Sequence, residues 1–204
     1  MNEQNVALIA PLLLQQDYIK SVAVHHGEPI DYDFDAFRDG LLHDDKPYGS
    51  LLAELQLGLF DVPVDEAGDA WLKLKPQWER PTKDPRIKVV INRTPRYHNG
   101  NFPWKRVVQE YSKVAVFIGL REEHAAFSEE FGEIPFYQTK DFLEAAQLIA
   151  GSQLFIGNQS CCCAIAEGLK HNLIQETYIP RPDSMYRRPN ARHVAGTYLE
   201  LPVL

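Results

Sequence analysis

From Ile87 onward the chain alternates short β-branched apolar runs with amphipathic stretches, and few folds accommodate that alternation. Ile87–Asn92 (IKVVIN), Val114–Gly119 (VAVFIG), Ile134–Tyr137, Gln153–Gly157 and a fifth run centred on Leu173–Gln175 read as strands buried on both faces. Helix signals fill the gaps. Pro103 opens a stretch in which Trp104, Val107, Val108 and Tyr111 fall on one stripe. Glu122 and Glu123 suit the first turn of the next helix, and Gly132 follows its end. Asp141 and Glu144 form a capping box ahead of Phe142, Ala145, Ala146 and Ile149, and the helix stops at Gly151. Ser160–Lys170 supplies a fourth helix. Strand, helix, strand in repetition predicts a doubly wound, Rossmann-like parallel α/β sheet.

The first eighty residues differ in character. Between Gly27 and Ala70 there are twelve acids against Arg38 and Lys46, whereas Arg80–Arg106 carries eight bases against Asp84 alone. The charges read either as two solvated faces or as a basic rim facing an anionic ligand. Ile19–Val24 is expected to be a strand and Tyr48–Leu59 a helix, and the proline-punctuated stretch Trp71–Lys88 reads as a linker. The division expected is therefore 1–80, a partial amino-terminal α/β segment with its linker, and 81–204, a nucleotide-binding domain.

Composition excludes some functions. A net charge of −7 argues against generic affinity for nucleic acid. No apolar run approaches the roughly 20 residues of a membrane-spanning helix, and the opening residues lack the basic flank and cleavage site of a secretory signal. The three cysteines are consecutive, Cys161–Cys163, which fits no disulfide framework and suggests a cytoplasmic setting. Adjacent helical residues point in different directions, so these thiols form no tetrahedral shell and no metal site is expected.

In doubly wound sheets ligands lie beyond the carboxyl ends of the strands. That rule selects Asn92 and Arg93 after the first strand, Gly119 after the second, Gly157, Asn158, Gln159 and Ser160 after the fourth, and Glu176 after the fifth. Gly157–Ser160 leads straight into a helix of small residues, whose free amides and dipole suit a diphosphate. Ser160 caps that helix or donates to phosphate. Arg93 and Arg96 offer guanidinium groups to phosphate, and Glu176 offers a carboxylate to ribose hydroxyls. The ordinary alternatives are a plain strand-to-helix turn, solvated loop arginines and an exposed strand-end acid.

The runs VVINRTPRYHNGNFPWKRVV, VFIGLREE and DFLEAAQLIAGSQLFIGNQSCCCAIAEGLKHNLIQE, in that order, resemble the carboxyl-terminal half of a GT-B glycosyltransferase of the heptosyltransferase-like group, glycosyltransferase family 9. The likeness spans about Lys88–Asn190. It implies a nucleotide-sugar donor as substrate, a carbohydrate acceptor, metal-independent transfer and no cofactor. By position, Arg93 and Thr94 would lie near the donor phosphates, Gln159–Cys161 would hold diphosphate or sugar, and Glu176 would face the nucleoside. The chain departs from the group where an Asp-Thr pair is replaced by Gln159 and Ser160 and a histidine by Ala164. The group's first strand and glycine turn have no counterpart before Val6. The expectations are therefore a glycosyltransferase, or else a non-catalytic nucleotide-sugar-binding domain or half-enzyme. Such a half would use a missing amino-terminal partner or form a homo-oligomer. No catalytic base is assigned, although Asp31, Asp33 and Asp35 are available.

Overall fold

A computed structural model describes residues 2–36, 52–65, 68–75, 84–181 and 184–204. Six α-helices occur among them: α1 (Glu3–Leu13), α2 (Leu52–Leu57), α3 (Trp104–Tyr111), α4 (Arg121–Phe131), α5 (Phe142–Gly151) and α6 (Cys161–Gly168). Five strands accompany them: β1 (Val89–Asn92), β2 (Ala115–Phe117), β3 (Leu154–Asn158), β4 (Leu173–Glu176) and β5 (Ala191–Val194). The strands form one sheet in the order β2-β1-β3-β4-β5, and every pairing is parallel. The chain enters at β1, adds β2 on one side, then returns to lay β3, β4 and β5 on the other. The order therefore reverses between β1 and β3, and a crevice opens beyond their carboxyl ends.

Every residue of β1 through β4 is buried, which explains their continuous apolar runs. Alternate side chains serve opposite faces. Val90, Val116, Phe155 and Leu173 pack with α5 and α6, while Val89, Ile91, Phe117, Ile156 and Ile174 pack with α3 and α4. Each such fully buried side chain contributes about 1.5–3 kcal/mol relative to exposure. The α3 stripe is buried as its spacing predicts. Asp141 caps α5 by accepting from the Glu144 amide at 2.8 Å, and Glu144 Oε2 accepts from the Lys140 amide at 2.7 Å.

The sheet differs from expectation at both edges. Ile134–Tyr137 makes a single parallel bridge, Phe117 to Phe136, instead of a strand. Pro135 has no N–H to extend a ladder, so pairing is confined to the two bonds flanking Phe136, from Phe117 N to Pro135 O at 2.8 Å and from Tyr137 N to Phe117 O at 2.9 Å. With that bridge counted, the sheet follows the 3-2-1-4-5-6 order of dinucleotide-binding folds. On the opposite edge, β5 escapes the sequence reading because Ala191, Arg192 and His193 are only partly buried or exposed, as edge strands commonly are.

The front of the chain also departs from expectation. Ile19–Val24 forms no strand among the described residues. Of the helix expected over Tyr48–Leu59, residues 52–57 are α-helical and Gly58–Phe60 is a 3-10 turn, while residues 48–51 lie outside the described residues. The expected linker is described over 71–75 and from 84. Helix α1 gives no periodic signal because its residues 6–13 are apolar on every side. Leu12, Leu72 and Leu74 join the same core as α5 and α6, so front residues help cover the sheet. Gln16 clamps this contact, donating to Leu12 O and Lys73 O at 3.0 and 3.3 Å and accepting from the Lys73 amide at 2.8 Å.

His171, between α6 and β4, lies 3.1 Å from Ser152 Oγ through Nε2. Burial, and then the Arg188 charge, lowers its pKa from 6.5 to about 4. An unfolded chain takes up this proton near pH 6.5, whereas the native protein resists until about pH 4. Stability is therefore fully present above pH 6.5 and declines as the pH falls towards 4. Urea unfolding across that range should show a loss of roughly 2–3 kcal/mol from this residue. His171→Gln should flatten that part of the profile, and an unchanged profile would exclude the residue as its source.

Candidate functional site

A cleft of about 350 Å³ occupies the carboxyl ends of β1, β2 and β3, where the strand order reverses. Thr94 and Arg96 line it after β1, Gly119 after β2, Gln138–Asp141 ahead of α5, and Ser160–Cys162 at the start of α6. Leu8 of α1 completes one wall. Helices α4, α5 and α6 all begin at this cleft, so three positive dipole ends converge there.

Two of the three ends are already compensated. Glu123 on α4 accepts from the Leu120 amide at 2.9 Å, and Asp141 caps α5. Burial pushes the Glu123 carboxyl above its usual range, an effect opposed by its bond to the Leu120 amide. The first turn of α6 carries no acid, only Cys161, Cys162 and Cys163 ahead of Ala164. Its leading amides therefore face the cleft region without a carboxylate to neutralise them.

The residues selected from sequence divide into four groups. Thr94, Gly119, Ser160 and Cys161, together with Arg96, line the cleft. Asn158 and Gln159 act as ties behind it. The Asn158 Nδ2 donates to Thr94 O at 3.0 Å and to Arg96 O, and its Oδ1 accepts from the Thr94 amide at 3.0 Å. Gln159 spans to the loop after β4, donating to Arg181 O at 2.7 Å and accepting from the Tyr178 amide at 2.9 Å. Gly157 lets β1 and β3 approach, since a Cβ there would lie 2.6 Å from Asn92 O.

Arg93 and Glu176 are brought together by one another. Arg93 Nε and Nη2 reach Glu176 Oε2 and Oε1 at 2.9 and 3.2 Å. Glu176 is fully buried and also accepts from the Asn99 amide at 2.8 Å and Trp104 Nε1 at 2.9 Å. The Arg93 side chain is 9% exposed, with its guanidinium 4.9 Å from the centre of the Phe131 ring. Neither residue is among those lining the cleft.

Sequence reasoning selected Asn92 by its position after the first strand and passed over Glu123, Lys140 and Asp141 as site residues. Asn92 bridges the cleft floor, donating to Ile118 O at 2.9 Å and accepting from Ser160 Oγ at 2.8 Å. Ser160 Oγ in turn accepts from the Cys163 amide at 3.2 Å, so it caps α6 and is anchored at once. Lys140 and Asp141 follow Ile134–Tyr137, and the positional rule that selected the other loops points to them equally. Gly119 has φ +135°, and a Cβ there would sit 2.6 Å from Glu123 Oε2 and 2.8 Å from Asn92 Nδ2. Among the thiols, Cys161 is exposed, while Cys162 and Cys163 are buried and burial raises both, Cys163 to about 12.

The Arg93–Glu176 pair predicts a stability phenotype. Arg93→Ala strands a buried carboxylate, and denaturant unfolding should register a loss of about 3–5 kcal/mol. Wild-type stability in that variant would show that Glu176 is satisfied without its arginine.

No protein-family model matches the chain, and no curated protein matches it. The structure is similar to the crystal structure of the glycosyl transferase family 9 from Veillonella parvula DSM 2008, with a TM-score of 0.46 and 12% identity over 73% of this chain. The match takes in 50% of that protein, so the chain spans about half its length. The likeness is too loose to assign a family.

Proposed function

We propose that the cleft binds a nucleoside diphosphate or its sugar conjugate, and that the chain acts as the donor-binding unit of a glycosyltransferase-like protein. The observation that carries this reading is the asymmetry among the three converging helix ends. Glu123 and Asp141 occupy two of them, leaving α6 as the end that accepts an anion. Arg96 and Lys140 line the same cleft and add positive charge. The phosphates lie at Ser160 and Cys161, with Thr94 and Arg96 beside them. Asn158 and Gln159 hold the surrounding loops in place, and Arg93 supports the site through Glu176 rather than by touching phosphate. Transfer to a carbohydrate acceptor is the part of the proposal that rests on the sequence resemblance over Lys88–Asn190.

A second reading, binding without turnover, has one observation in its favour. The two carboxylates lining the cleft, Glu123 and Asp141, are both engaged as helix caps. Neither is held ready to deprotonate an acceptor hydroxyl.

Calorimetric titration with ADP, UDP, GDP and inorganic pyrophosphate tests the proposal. At least one should bind, and Arg96→Ala should weaken it by roughly 1.5–3 kcal/mol, the range of a charged hydrogen bond. Because Arg96 is exposed, its unfolding midpoint should stay near wild type. The absence of binding across the panel would sink the proposal. Measuring release of nucleoside diphosphate from nucleotide-sugars, with and without glycan acceptors, separates the two readings: the chain alone is expected to turn over slowly or not at all.

A further inference from the structure

An acid lines the cleft close to the place where an anion is received. Glu123 projects from the first turn of α4, and the point where a Gly119 side chain would begin lies 2.6 Å from its Oε2. The same point lies 2.8 Å from Asn92 Nδ2, and Asn92 Oδ1 accepts from the Ser160 hydroxyl that caps α6. The carboxylate thus stands one side chain away from the cap of the helix end that carries no acid of its own. Its charge reaches α6: after burial and Cys161, Glu123 is the next cause that raises the Cys162 thiol.

The two oxygens of Glu123 differ in their partners. Oε2 accepts from the Leu120 amide at 2.9 Å, a bond that the ionised and the protonated group make alike. Among the described residues nothing donates to Oε1. An ionised carboxylate with an oxygen open to the cleft repels an incoming anion, whereas the protonated group presents a hydroxyl that donates to it. A second negative charge at close range favours the protonated form, as when two carboxylates share one site. Burial already pushes Glu123 above its usual range, with the Leu120 bond opposing and the Glu122 charge adding to the rise. The other ionisable groups lining the cleft are Arg96 after β1, Lys140 and Asp141 ahead of α5, and Cys161 and Cys162 on α6. Arg96 and Lys140 are exposed, so water screens their charges. Asp141 is tied to the Glu144 amide, and burial holds Cys162 protonated. On α4 itself, His124 is turned away towards Ile134 O at 2.7 Å.

We propose that the cleft takes up one proton from solvent with each diphosphate it binds, and that Glu123 Oε1 carries this proton and donates it in a hydrogen bond to a phosphate oxygen. The proposal rests on the proposed function for the diphosphate, and on the placement of Glu123 for the proton. Above the pKa that Glu123 has with the anion bound, no proton is taken up and affinity is lowest. As the pH falls below that value affinity climbs, and it levels off beneath the pKa of the free protein.

Calorimetry of the whole chain with pyrophosphate, ADP, UDP and GDP, each in buffers of different ionisation enthalpy, counts the protons taken up between about pH 5 and pH 8. The ligands titrate as well, so the count that matters is wild type less Glu123→Gln, whose amide keeps the Leu120 bond and supplies a permanent donor. At the steepest part of the profile wild type should take up about one proton more than the variant. Near neutral pH Glu123→Gln should bind roughly tenfold more tightly than wild type, a gain that loss of a merely structural cap does not give. NMR of the isotope-labelled Glu123 carboxyl reads the same event in wild type: its titration midpoint should be raised by pyrophosphate, and by sulfate, an anion that does not titrate in this range. Nucleotide binding with equal proton uptake in the two proteins and an unmoved midpoint would overturn the proposal and leave nucleotide binding intact. A midpoint raised by pyrophosphate, with no nucleotide bound, would support the proton site and overturn the nucleotide reading. An unmoved midpoint with no anion bound would overturn both. Glu122→Gln, exposed and outside the cleft lining, should keep the wild-type uptake, and an equal loss there would overturn the role of Glu123.

Discussion

At the end of β4 the Glu176 carboxylate is removed from water and receives donors from Arg93, Asn99 and Trp104 on its two oxygens. Burying an ionised carboxylate is costly unless it is both paired and hydrogen-bonded, and here it is both. The consequences spread outward from that point. Trp104 is oriented at the first residue of α3, and Asn99 draws the chain after β1 back across the sheet. Held at Asn99 by Glu176 and at Thr94 and Arg96 by Asn158, the intervening loop is short of slack. Tyr97 accommodates this with φ 56°, a conformation few side chains adopt. Arg93 is consumed by the pairing, and Arg96 becomes the arginine presented to the cleft.

The same device recurs along the carboxyl edge. Asn92 ends β1 and ties β2 to the α6 cap; Asn158 ends β3 and ties the loop after β1; Glu176 ends β4 and ties the start of α3. Each strand thus hands its backbone to a buried polar side chain that fixes a neighbouring loop. A ligand meeting such an edge finds its contacts already in position, which lowers the ordering cost of binding.

Much of this could be read in the residues alone. The alternation after Ile87 located four of the five strands and the helices between them, because buried parallel strands and striped helices write strong, distinct patterns. The edges were obscure for a physical reason: Pro135 interrupts one, and the half-exposed ARHV run of the other looks like any polar loop. Helix α1 stayed hidden because apolarity all round carries no period. At the site, strand ends could be found from sequence, but the direction of their side chains could not. Arg93 and Arg96 are three residues apart and chemically identical. What separates them is the partner, Glu176, lying eighty-three residues downstream of Arg93.

The three consecutive cysteines divide sharply in accessibility. Cys162 and Cys163 are packed against the sheet with thiols that burial holds protonated, whereas Cys161 stands in solvent at the first position of α6. Reactivity follows the thiolate and its exposure. A maleimide or a fluorinated alkylating tag therefore meets one fast target without any sequence change. That attachment point lines the cleft, so the protein brings its own handle for a spectroscopic reporter at the place where its occupancy would be felt.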